Sequence, residues 1–346
     1  MTGSVANAAW LVTGAGGILG RDVVAELMAA PSARVTGLTR GELDITDPEA
    51  VRAAVAAHHV VVNCAAWTDV DGAEDNEAAA TAVNGTGVRH LARACAETGA
   101  ILLHVSTDYV LPGDAGLPYA EDAPTGPLNA YGRGKLLGER MVAELLPRTG
   151  YTVRTAWLYG EHGHNFVATM LDLACRRSTV DVVADQHGQP TWSAALARQV
   201  AVLGRAALAG RAAAGVYHGT AEGCTTWYGL AREVYRLSGL DPERLRPVGS
   251  VAFPRPAVRP AYGVLAHDGW VRAGVACQPS WRDQLAAALA TPRFAGPAAT
   301  ARAAGGRPAP PLPHVETSRG KSGSSGRVGG TATAVCGRHA SGRTRG

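Results

Sequence analysis

Ala8-Ala9-Trp10-Leu11-Val12-Thr13-Gly14-Ala15-Gly16-Gly17-Ile18-Leu19-Gly20 decides how the chain is read. Ala8 to Val12 is a short apolar run, the mark of a buried strand. Three glycines spaced Gly14-x-x-Gly17-x-x-Gly20 follow, and a helical pattern then runs from Leu19 to Ala29. Strand, glycine turn and helix in that order make a site for a dinucleotide. The glycines let backbone approach a pyrophosphate, and the first turn of the helix offers it free N–H groups. The spacing differs from the commoner Gly-x-Gly-x-x-Gly.

The pattern continues outward from this start. Arg34 to Leu38 reads as a second strand. An acid at its end would favour NAD by accepting from the ribose 2′-hydroxyl. Thr39-Arg40 stands there instead, so Arg40 is expected to pair with a 2′-phosphate, which makes NADPH the expected cofactor and NADH the alternative. A helix from Pro48 to His58, a strand from Val60 to Asn63, helices over Glu74 to Val83 and Gly85 to Glu97, and strands over Ala100 to Ser106 and Thr152 to Ala156 follow. This alternation implies a parallel, doubly wound α/β sheet. Ligands bind such sheets beyond the strands' C-terminal ends. Two of those ends carry Ala66-Trp67-Thr68 and Ser106-Thr107-Asp108-Tyr109.

Tyr131-Gly132-Arg133-Gly134-Lys135 lies near the start of a helix spanning Leu128 to Leu146. Residues four apart share a helix face, so Tyr131 and Lys135 address one point. A neighbouring cation favours the phenolate and lowers a tyrosine pKa, so Tyr131 is expected to be tuned downward as a proton donor. The chain uses arginine for 31 of its 33 cationic side chains, and its only lysines are Lys135 and Lys321. A lysine at 135 supplies a compact ammonium with a tunable pKa.

Beyond Tyr159 the alternation breaks. His162, His164 and Asn165 read as a polar loop, Asp185 to Thr191 as a second, and Phe253 to Pro260 as an extended proline-rich segment. Ala194 to Ala209, Trp227 to Ser238 and Trp281 to Leu289 read as helices, and Val216 to His218 as a strand. From Pro292 the composition collapses to Gly, Ala, Pro, Ser, Thr and Arg, which predicts a disordered tail. The tail carries a net charge of +8 and residues 1–292 carry −4, within a total of +4. The tail lacks interleaved aromatics, so no specific nucleic-acid partner is expected. Six cysteines without Cys-x-x-Cys spacing read as reduced thiols. With no signal-peptide pattern at the N-terminus and no apolar run of about 20 residues, the expectation is a cytoplasmic protein without a membrane partner.

Several ordered motifs together resemble the extended short-chain dehydrogenase/reductase superfamily, and within it the dTDP-4-dehydrorhamnose reductase family. They are Val12 to Gly20, Asn63 to Glu74, Ser106 to Val110, Tyr131 to Lys135, Arg154 to Trp157, Asp185 to Thr191 and Arg259-Pro260. The resemblance implies a Rossmann domain over residues 1–159 and a smaller, mainly nucleotide-sugar-binding domain over 160–291, some of whose elements pack on the sheet. Residues 292–346 are the basic tail. It implies a catalytic trio of Thr107, Tyr131 and Lys135. It assigns Gly14, Gly17, Ile18, Leu19, Gly20, Arg40, Asp44, Ile45, Ala66, Trp67 and Thr68, with Tyr131 and Lys135, to the cofactor. Thr107, Asp108, Trp157, Gln186 and Arg259 fall to the sugar nucleotide, and Asn84 to support of the site. The implied substrate is dTDP-4-dehydro-L-rhamnose or a similar dTDP-ketosugar, reduced at C4. A homodimer is compatible with the resemblance. Some relatives hold Mg²⁺ between subunits, and Asp22 matches one such position, but the rest of that set is not recognisable and no metal is expected. Dihydrostreptose synthase, which acts on the same ketosugar, is not separated by residue types. A non-catalytic NADP-binding regulatory subunit is the alternative of another class. The chain departs from the family at Gly134, where Thr or Ser is usual, and at Leu111, where Phe is usual.

Overall fold

A computed structural model describes residues 8–30 and 33–304. The first half runs β1 (Ala9–Thr13), α1 (Ile18–Met28), β2 (Arg34–Leu38), α2 (Pro48–Val55), β3 (Val60–Asn63), α3 (Gly72–Asp75), α4 (Glu77–Thr81), a π-helical turn (Ala82–Gly87), α5 (Val88–Thr98), β4 (Ile101–Thr107), α6 (Ala130–Leu145) and β5 (Gly150–Thr155). The second half runs β6 (Leu158–Tyr159), α7 (Phe166–Arg176), β7 (Val180–Val183), β8 (His187–Gly188), β9 (Thr191–Trp192), α8 (Ser193–Leu208), β10 (Gly215–His218), β11 (Thr225–Thr226), α9 (Trp227–Leu237), β12 (Leu245–Val248), α10 (Asp268–Arg272), α11 (Trp281–Leu289) and α12 (Pro292–Ala304).

Six strands form the central sheet in the order β10-β5-β4-β3-β1-β2, and every pairing is parallel. β1, β3 and β5 are buried at every residue, as strands covered on both faces must be. One face is closed by α1 and α8, where Gly204 lets α8 approach the Trp10 ring too closely for any side chain. α2 and α5 close the other with Val51, Val55, Leu91 and Cys95. Local chemistry starts the helices. Asp47 accepts from the N–H groups of Glu49 and Ala50 ahead of α2, with Pro48 at its first position. Asn129 accepts from Gly132 N–H at 2.8 Å to open α6.

α6 carries Tyr131 and Lys135 and is held at its N-terminal end and along its length. Glu74 accepts the Ala130 N–H at 2.8 Å, and Glu77 takes the Arg133 guanidinium on both oxygens at 2.7 and 2.8 Å. Deeper, Glu139 meets Arg154 of β5 at 2.8 Å with both side chains buried. Such a pair is costly to break from one side, because an unpaired charge is left inside.

The chain returns to the sheet after Tyr159. β10 is its sixth strand, and α8, Tyr217 and Trp270 share its core. A second core gathers Tyr159, Val167, Met170, Leu171, Leu230, Tyr235, Trp281 and Phe294. α7, whose residues were not read as an element in the sequence, lies in this core.

The tail does not begin at Pro292. Residues 292–304 form α12, with Phe294 and Ala301 fully buried and Ala298 nearly so. Their spacing of four and three places them on one helix face, against the second core. A composition poor in large apolar residues hid this stripe, in which Phe294 is the one large apolar side chain among the buried residues. The remainder of the expected tail, residues 305–346, lies outside the described residues. Among the described residues, no helix is long and apolar enough to cross a membrane.

Candidate active site

The site is built at the C-terminal ends of β1, β3 and β4. Gly14 has φ +66°, and a Cβ there would lie 2.6 Å from the Ala65 N. Only glycine fits that turn. α1 then begins at Ile18, with Gly17 as its N-cap, no side chain capping it and no acid in its first turn. These are the requirements of a pyrophosphate site, and the residues present fit the dinucleotide that the sequence implied.

A buried polar network ties the strand ends together. Asn63 Oδ1 accepts from the Thr13 hydroxyl at 2.7 Å and from Ala65 N–H at 3.1 Å. The Asn63 amide lies 3.0 Å from His104 Nδ1. Burial, foremost, and the Lys135 charge hold His104 well below its usual pKa, so it is a neutral acceptor. Asn84, in the π-helical turn, clamps Trp67 at both backbone groups. Its Oδ1 accepts from Trp67 N at 2.9 Å and its amide donates to Trp67 O at 3.1 Å. Ala66 and Trp67 are half-buried and Thr68 is exposed, so this wall is open to a ligand. Ile45 is buried against Gly87, while Asp44 is exposed and accepts from the Thr46 N–H and hydroxyl.

At the end of β4 the Thr107 hydroxyl donates to Asp108 Oδ1 at 3.0 Å and accepts from Tyr109 N at 3.2 Å. Asp108 is 2% exposed and its Oδ2 has no partner. Burial, opposed by these hydrogen bonds, pushes its carboxyl up to about 7. Tyr131 meets Tyr109 edge-on at 5.8 Å. Lys135 is buried and donates to the Val105 carbonyl at 2.6 Å. Burial brings its ammonium down to about 8, against the pull of Glu139.

One expectation is reversed here. Tyr131 is pushed up to about 12, by burial first and then by the Asp108 carboxylate, with its Thr107 hydrogen bond acting the other way. The Lys135 ammonium, expected to lower it, donates to the Val105 carbonyl and is itself desolvated. A helix-face argument places the two residues together but carries no information about burial.

The substrate-side residues fall into two groups. Trp157 has φ 45°, the only non-glycine positive φ among the described residues. Its ring stacks on Trp227 at 3.6 Å and 9°. Gly188 lies against the indole, where a Cβ would come within 2.5 Å of it. Trp227 donates to Gln186 Oε1 at 3.2 Å, so Gln186 joins this aromatic wall. Arg259 instead forks onto both oxygens of Asp71, a residue given no ligand role in the sequence reading. Ala257 N–H donates to Asp71 as well, which straps the proline-rich segment across the site. Just beyond that segment, Gly263 lies over Asp108, close enough that a Cβ would sit 2.5 Å from Oδ2. These partners lie up to 188 residues apart, so no local sequence signal links them. Asp22 is engaged by the Ser193 hydroxyl and lies 3.6 Å from His162, within the chain.

An uncapped helix behind a glycine turn, with threonine, tyrosine and lysine gathered at the neighbouring strand end, defines a dinucleotide-dependent oxidoreductase on an extended short-chain dehydrogenase fold. The chain belongs to the family described as RmlD substrate binding domain, whose model matches residues 8–293. It is 57% identical to a dTDP-4-dehydrorhamnose reductase of Streptomyces griseus over 303 residues, covering 87% of this chain and 96% of that one. It is 51% identical to a dTDP-4-keto-6-deoxy-D-glucose reductase of Streptomyces niveus, covering 81% and 96%. Among solved structures, it resembles a dTDP-4-dehydrorhamnose reductase of Bacillus anthracis in complex with NADP. The TM-score is 0.77 at 34% identity, covering 82% of this chain and 98% of that one.

Proposed function

We propose that the chain reduces the C4 ketone of dTDP-4-dehydro-L-rhamnose, with NADPH as cofactor and NADH as a second. The observation that carries this reading is the meeting of Thr107, Asp108 and Tyr131 under the segment that holds Gly263. When bound, the reduced nicotinamide supplies the hydride; the protein positions and protonates.

Each side chain then has a task. A phenol at about 12 is protonated at neutral pH, so Tyr131 holds the proton that the C4 oxygen needs as it becomes an alkoxide. The Thr107 hydroxyl, already bonded to Asp108, lies beside the phenol and polarises the carbonyl. Asp108, at about 7, can accept from a sugar hydroxyl or donate to one once a ligand displaces the cover over it. Lys135 supplies a buried cation at the floor of the site, where it supports the nicotinamide ribose. Trp157 and Gln186 form the wall on the nucleotide side. The free thiols of the described residues suit a reducing cytoplasm.

The test is Tyr131→Phe, which deletes only the hydroxyl. NADPH should bind as before, and kcat should fall by about 10²–10⁴-fold, the range general acid catalysis supplies. A variant keeping half the parent kcat would remove Tyr131 from the reaction.

A further inference from the structure

The turn after β2 holds a carboxylate where the cofactor's adenosine ribose is met. Thr39 is the first residue beyond the strand. Its N–H donates to Glu42 Oε2 at 2.8 Å, and its hydroxyl donates to the same oxygen at 2.7 Å. Both bonds hold the Glu42 carboxyl below its usual range, so it is ionised at neutral pH. The backbone folds back to bring it there: Glu42 N and Leu43 N both donate to the Thr39 carbonyl, at 3.0 and 2.9 Å.

This turn lies against the pyrophosphate loop. Ala15 N donates to Leu38 O at 3.0 Å, and a Cβ on Gly16 would rest 3.4 Å from Thr39 Cγ2. In sheets of this kind the end of the second strand decides between cofactors. An acid there accepts from the 2′-hydroxyl of NAD, and an arginine pairs with the 2′-phosphate of NADP. This chain has both, Arg40 and Glu42, two residues apart and both exposed. Sequence reading finds Arg40 and passes over Glu42, because only the fold-back of the turn returns residue 42 to the strand end.

We propose that Glu42 is a selectivity residue for the cofactor. In the free chain its carboxylate holds the two Thr39 donors, which a 2′-phosphate would need. It accepts a 2′-hydroxyl and opposes the 2′-phosphate that Arg40 attracts. The balance between the two side chains sets how far NADPH is preferred over NADH. This rests on the reading of the site as a dinucleotide site.

Glu42→Gln keeps an acceptor for Thr39 and removes the charge; Arg40→Ala is the opposing variant. Both positions are exposed, so thermal melts serve as a check on folding. Calorimetry on the full chain gives Kd for 2′,5′-ADP and for 5′-AMP, and kcat/KM with NADPH and NADH follows. Glu42→Gln should bind 2′,5′-ADP about five- to tenfold more tightly and 5′-AMP no better, the size of one exposed charge contact. The gain should shrink in 0.5 M salt, where a repulsion between charges is screened but a loss of turn structure is not. Arg40→Ala should move the ratio the other way. Equal shifts for both fragments, or no shift beyond twofold, would overturn the proposal and leave Glu42 as a turn brace. Failure of the parent chain to bind either fragment would overturn the cofactor reading together with it.

Discussion

Phe294→Ala is expected to destabilise the whole chain. Phe294 is fully buried, in a core with Val167, Leu171, Tyr235 and Trp281. Removing a buried phenylalanine from such a core costs about 3–5 kcal/mol, of a total stability on the order of 5–15 kcal/mol. Ending the chain at Thr291 costs more. It also removes the buried Ala298 and Ala301 and the 2.7 Å bond from the Arg302 guanidinium to the Ser238 carbonyl. In domains of about 150–250 residues, 1 kcal/mol shifts Tm by about 2–4 °C. Phe294→Ala should therefore lower Tm by roughly 6–20 °C, and truncation at 291 by at least as much. Thermal melts and urea titrations on both variants, with a chain ending at Ala304 as control, measure this. Trp157 and Trp227 pack on the same core, so binding of dTDP should weaken more than binding of NADPH. A chain ending at Thr291 that melts within 2 °C of the parent would refute the packing argument and restore a tail beginning at Pro292.

Asp108→Asn should change the pH dependence of stability. The Asp108 carboxyl is raised from about 3.8 to about 7 in the folded chain, so its contribution is fully present below about pH 4 and is lost as pH rises through 7. The variant should gain on the parent across that window by up to roughly 4 kcal/mol at about 1.4 kcal/mol per pKa unit, and parallel urea profiles at pH 5 and pH 8 would count against it. Trp227→Ala should release Trp157 from a backbone conformation that costs about 1–3 kcal/mol to hold, raising KM for the dTDP-ketosugar roughly tenfold. Trp227→Phe should keep most of the affinity, and steady-state kinetics showing equal losses for sugar and NADPH would point to general unfolding instead.

The parallel sheet was legible because its strands are short apolar runs closed by glycine, proline or capping residues. Arg34–Leu38 and Val60–Asn63 match their expected bounds, and the α6 start at Asn129 was readable from its capping side chain. α7 is masked by the polar His162 to Asn165 ahead of it, although Val167, Met170, Leu171 and Ala174 recur at helical spacing. The π-helical turn was read as a break between two helices; its sequence, Ala82 to Gly87, has no periodicity that separates it from an α-helix. The candidate site was legible as a set of residue types and not as a set of environments. Whether a cation lowers a phenol or burial raises it depends on how deeply both lie, and that is decided by elements far along the chain. Asp71 and Glu42 were missed for the same reason, since each becomes a partner only when a loop folds back.

Incubation of the chain with NADPH and enzymatically prepared dTDP-4-dehydro-L-rhamnose, followed by NMR of the product, tests the central claim most directly. The expected result is one NADPH oxidised per dTDP-L-rhamnose formed, with Tyr131→Phe nearly inert under the same conditions. A ring-contracted sugar would reassign the product to dihydrostreptose, and NADPH that binds without being oxidised would contradict the claim that this site is a reductase.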